Sequence, residues 1–131
     1  MTKFASIEEI RSECHAIVEE IGGYLFIPPL VFINFLLVLS YTRLGENDRR
    51  HGVMFELTQL LCHDDGSHVF RIHKAISWEI LGICQELCGG HHAALHSYVK
   101  ALHDRHNFFK QATLARIACS TYGIWVRRNV I

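Results

Sequence analysis

The sequence predicts an all-α protein, a compact bundle of five to six helices in a single domain covering residues 1–131. Three observations carry that reading. Apolar residues recur at three- and four-residue steps along most of the chain, and no segment shows the two-residue alternation of a strand. Glycine pairs and short polar runs punctuate these segments at helix length. One stretch, residues 22–42 (GGYLFIPPLVFINFLLVLSYT), holds twenty-one residues without a charge, and Asn34 is the only strongly polar side chain in its middle. A helix apolar on every side is buried on every side or sits in lipid. The rest of the chain has to be arranged around that stretch.

Taken in order, the first helix opens at Ser6, with Glu9 three residues on, the spacing at which two side chains satisfy the free amides of a helix start. Ile7, Ile10, Cys14, Ile17 and Ile21 then share one face, glutamates line the others, and Gly22-Gly23 ends the helix. The uncharged stretch follows, with its candidate helix at residues 24–44. Pro28 and Pro29 interrupt it, since proline lacks an amide hydrogen and is favoured at the first helical position. A polar turn at Gly45-Glu46-Asn47-Asp48 leads to a third helix over residues 49–62, with Val53, Leu57, Leu60 and Leu61 facing inward. After the turn at residues 63–66, Ser67 can cap a fourth helix over residues 68–88. Its stripe is Val69, Ile72, Ile76, Ile80, Ile83 and Leu87, with Lys74, Glu79 and Glu86 outside it. Gly89-Gly90 stops it. Residues 91–129 read as one long helix or as two broken near Asn107, with Leu95, Val99 and Leu102 facing inward first, then Phe109, Ile117, Ile124 and Trp125.

The uncharged stretch poses the question of a membrane. A bilayer's hydrocarbon is about 30 Å thick and needs roughly 20 apolar residues of helix to cross it. Residues 22–42 just meet that length, but a helix started by Pro29 and ending at Leu44 is only about 24 Å long. Arg43, Arg49 and Arg50 follow the stretch while Lys3 and Arg11 precede it. A span would therefore face its C-terminal side to the cytoplasm or a mitochondrial matrix. The expectation is membrane association on that reducing side, with a cytoplasmic protein and a wholly buried helix as the alternative.

Composition excludes several classes. Half of the chain is hydrophobic and a fifth charged, which is not the balance of a disordered chain. Thirteen basic and thirteen acidic residues cancel, so the general positive field of a nucleic-acid binder is missing. Ten histidines make the charge sensitive to pH. Five cysteines in no regular framework read as reduced thiols. No phosphate-binding glycine loop and no GxSxG elbow occurs, and no catalytic residue is singled out, so the reading leans away from an enzyme.

Two sets of residues are candidate sites. Cys84 and Cys88 lie one helical turn apart, with His91 and His92 just beyond the glycine turn, and thiolate with imidazole suits zinc or copper. The plainer reading of this set is a buried thiol in an apolar stripe, and no cofactor is required. Phe108, Phe109, Tyr122 and Trp125, with Arg127 and Arg128 after them, form a candidate partner-binding face, because aromatics and arginine concentrate binding energy at interfaces. Two pentapeptides have a familiar look: DDGSH at residues 64–68 resembles the end of the CDGSH iron–sulfur motif, and CGGHH at residues 88–92 resembles a glycine turn of acyl-CoA oxidases. Each covers five residues and implies no family. The functional expectation is a small non-catalytic structural or interaction subunit, membrane-associated and part of a larger protein complex. The alternative is a soluble bundle that holds a metal or haem through His and Cys.

Overall fold

The computed structural model of the protein describes residues 27–64, 69 and 71–130. Among these residues the chain forms five α-helices and no strand: α1 Pro29–Leu44, α2 Asn47–His63, α3 Lys74–Leu87, α4 His91–His103 and α5 Lys110–Val130. A short 3₁₀ turn, Arg71–His73, leads into α3. The helix expected to start at Ser6, residues 22–26 of the uncharged stretch, and the expected cap at Ser67 lie outside the described residues.

Proline and glycine set the limits of α1. Pro29 occupies its first turn, and the Pro28 carbonyl accepts the first helical bond from the Phe32 amide at 2.9 Å. At the far end Gly45 takes the left-handed conformation, φ 71°, which glycine reaches without steric penalty. The Gly45 and Glu46 amides then donate back to the Thr42 and Tyr41 carbonyls, closing two of those left open at the helix end. Asn34 is buried, and its side-chain amide donates to the Leu30 carbonyl one turn earlier at 3.0 Å, so the polar group inside this apolar helix is satisfied by the helix itself.

The second hairpin, α4 and α5, turns on Asn107. Its side chain is buried; Nδ2 donates to the Ala101 carbonyl and to Thr113 Oγ1, while Oδ1 accepts from the Phe109 amide at 2.7 Å. That ties the end of α4 to the first turn of α5, so the chain breaks into two helices here. At the other junction Asp64 closes α2: its carboxylate accepts from the Val69 amide and pairs with Lys74 at 3.7 Å, fixing the start of α3.

α3 is the central helix. One side carries Ile76, Ile80 and Ile83 into a core with Val31, Phe35 and Val38 of α1 and Leu57 and Leu61 of α2. Its other side faces α4, and α4 packs in turn on α5. Gly82 permits the close crossing of α3 and α4, because a β-carbon there would stand 2.4 Å from the Tyr98 ring. In the same way, His91 of α4 lies against Gly123 of α5, where a β-carbon would stand 2.8 Å from the imidazole.

The packing corrects several expected faces. Ile72 is 57% exposed, because it sits in the 3₁₀ turn, whose three residues per turn break the phase of the stripe running from Ile76. Glu79, expected outside, is fully buried. In α4 the inward residues are the small Ala94, Ser97 and Ala101 with Tyr98, while Val99 points out. Small residues let α4 approach α3 closely, so the wider apolar side chains move to the margin. The wholly buried helix, the alternative to a helix in lipid, is not what the packing shows: Val31, Asn34, Phe35 and Val38 of α1 are buried, while Leu30, Phe32, Ile33 and Leu36 are exposed. Among the described residues no helix is long and apolar enough to cross a membrane.

Candidate functional site: a buried polar seam and two outward apolar faces

Between α3, α4 and α5 runs a seam of polar side chains. Glu79 and Glu86 stand two turns apart on one face of α3, with Gly82 between them. Arg116 of α5 places Nη1 3.6 Å from Glu79 Oε2, with both side chains nearly or wholly out of solvent, and it also donates to the Ala112 carbonyl of its own helix. Ser120, one turn further along α5, donates to Glu86. Ser97 of α4 donates to Gln85 Oε1 at 2.6 Å. Tyr98 is enclosed among these groups. Its hydroxyl is pushed far above its ordinary range by burial first and then by the negative charge of Glu86 and Glu79, against the opposing effect of Arg116. It is therefore held as a neutral phenol. Such a seam fixes the register of three helices, since sliding any of them would strand a charge or a hydroxyl without its partner.

Sequence reasoning missed this pairing. Glu79 and Arg116 are far apart along the chain, and no periodic signal links them. Arg116 shares one side of its helix with Thr113 and Ser120 at three- and four-residue steps, and only the packing makes that side the inward one.

The four residues considered for zinc or copper sit in different surroundings. Cys84 is in the core, and burial, then the neighbouring Cys88, raise its thiol well above the usual cysteine range. A thiol held protonated is a poor ligand and a poor nucleophile. Cys88 is half-buried at the end of α3, followed by Gly89 in the left-handed conformation. His91 is half-buried and occupied in packing on Gly123, and His92 is exposed. Among the described residues no group of three or more His, Cys, Asp or Glu side chains is placed to hold a metal ion.

The C-terminal aromatic set divides. Phe109 is core, 2% exposed, whereas Phe108 beside it points outward. Tyr122 and Trp125 are exposed by 66% and 54%, and their rings stack 6.1 Å apart at an interplanar angle of 19°. Arg128 is exposed. Arg127 is turned back toward the end of α3: a β-carbon on Gly89 would stand 3.1 Å from its Nη2. A cation there complements the carbonyl end of the helix.

Two outward apolar faces result. On α1, Ile33 and Leu36 lie opposite the buried side with Leu30 and Phe32 exposed on its flanks, and the helix carries no charge before Arg43. On α5, Leu114, Ala118, Tyr122 and Trp125 form an exposed row at steps of four, four and three residues. No protein-family model matches this chain, and no curated protein or solved structure matches it.

Proposed function

We propose that this protein is a small non-catalytic interaction subunit that attaches to a membrane surface and works by contact, as part of a larger assembly. The observation that supports this most directly is the outward face of α1. Several large apolar side chains stand free on a helix whose opposite side is firmly seated in the core. Scattered exposed leucines are ordinary on a soluble protein, but a contiguous apolar patch on a folded scaffold is characteristic of a contact surface. At about 24 Å, α1 suits a helix lying in the boundary layer of a bilayer with its outer face immersed, which needs no spanning length. Partner subunits would meet the remaining exposed apolar surface.

The test is retention on membranes. Expressed alone, the protein is expected to float with phospholipid vesicles. Ile33→Lys combined with Leu36→Lys should abolish flotation while the helical circular dichroism and the melting temperature stay close to wild type, because both side chains already face outward. A wild-type chain that stays monomeric in detergent-free buffer and never floats refutes the proposal, as does a double variant that floats unchanged.

A further inference from the structure

Charge along the chain is strongly uneven. All thirteen acidic residues lie at or before Asp104, whereas Arg105, Lys110, Arg116, Arg127 and Arg128 follow it. Arg116 is neutralised by Glu79, so Arg105, Lys110, Arg127 and Arg128 form the exposed charge of the last helix and its approach, with no carboxylate among them. The whole chain is neutral, and this end of it is cationic.

The positions of those charges matter more than their number. Lys110 and Arg128 are eighteen residues apart, five turns of an α-helix, and therefore fall on one side of α5 about 27 Å apart. That side borders the exposed row of Leu114, Ala118, Tyr122 and Trp125. The opposite side of α5 holds Ala112, Thr113, Arg116 and Ser120 against the bundle, so the helix is anchored in one orientation. Tyr122 and Trp125 stack on each other outside the core, each an apolar ring with a polar tip. Such rings settle at the headgroup level of a bilayer, and nearby cations meet anionic headgroups.

We infer that the outward face of α5 docks on an anionic phospholipid surface, with Leu114, Tyr122 and Trp125 entering the headgroup layer and Lys110 and Arg128 pairing with lipid phosphates. This rests on the membrane reading above and adds to it the lipid class and a second, charge-reading contact. The absence of any carboxylate on this helix calls for an anionic occupant, and the exposed stack of two rings with polar tips favours a bilayer boundary over free phosphate or an acidic protein surface.

Trp125 supplies its own probe. The chain has two tryptophans, and Trp78→Phe leaves Trp125 as the only one, excited apart from the tyrosines at the red edge of the absorption band. Trp78→Phe protein is mixed with vesicles of phosphatidylcholine alone, and with vesicles of phosphatidylcholine and phosphatidylserine. The expected result is a blue shift of Trp125 emission and tighter binding with the anionic vesicles only, both weakened by salt. Lys110→Gln with Arg128→Gln should weaken that binding on the order of 10-fold, since each cation near an anionic surface contributes a several-fold gain. Equal binding to both vesicles with no shift of Trp125 overturns this assignment and leaves the α1 proposal standing. No binding to either overturns both. An acidic protein as the true occupant would leave Trp125 unmoved by any vesicle, which also overturns it.

Discussion

Arg116→Met should be among the most damaging single substitutions in this protein. It removes the guanidinium 3.6 Å from the Glu79 carboxylate, and at an effective dielectric constant near 20 that attraction is worth roughly 4–5 kcal/mol. Much of it offsets the cost of taking both groups out of water. Breaking one side alone, however, deprives the buried Glu79 carboxylate of this partner, and breaking a buried pair typically costs about 3–5 kcal/mol. A domain of this size is stable by on the order of 10 kcal/mol, so a third or more of the total is at stake. In urea, with a slope of about 1–3 kcal/mol per molar, the unfolding midpoint should fall by roughly 2 M. Glu79→Leu with Arg116→Met should recover most of the loss, because an apolar pair of similar volume avoids the desolvation altogether. The assay is circular dichroism against urea for wild type, both single variants and the double. A loss below about 1 kcal/mol for Arg116→Met, or strictly additive effects in the cycle, would refute the reasoning.

Two further predictions concern packing and pH. Gly82→Ala places a methyl 2.4 Å from the Tyr98 ring and should cost about 1–3 kcal/mol by forcing α3 and α4 apart; an unchanged melting temperature would show that the crossing is looser than described. Burial, and then the charge of His106, hold His73 below its ordinary value of 6.5, so the folded chain prefers neutral imidazole. Near it are Lys74, its chain neighbour, paired with Asp64, and His106, whose Nδ1 lies 3.5 Å from Asp104. Stability from this site is present above 6.5 and is lost as pH falls below that value toward the lower folded one. His73→Gln should flatten that slope relative to wild type in urea titrations, and parallel curves would refute the assignment.

What the sequence alone determined were the elements whose causes are local. Pro29 starts α1, Gly45 ends it, Gly89 terminates α3, and the three-and-four spacing marks the helices between them; each follows from backbone chemistry within a few residues. Residues 91–129 read as one helix or as two broken near Asn107, and the bonds of the Asn107 side chain make them two. The tertiary structure decided which side of each helix is inside. Glu79 reads as a solvent-facing residue until Arg116 arrives from another helix to neutralise it. Ile72 reads as part of a stripe until the 3₁₀ turn changes its phase. Phe109 reads both as an inward residue and as part of a partner-binding face, and the packing places it in the core while Phe108 beside it stays outside. α1 is the clearest case: its sequence is apolar all round, so periodicity carries no information about direction. Among the described residues its inward side is set by α2 and α3 packing on one side of it, and the apolar face left outside is where the proposed function lies.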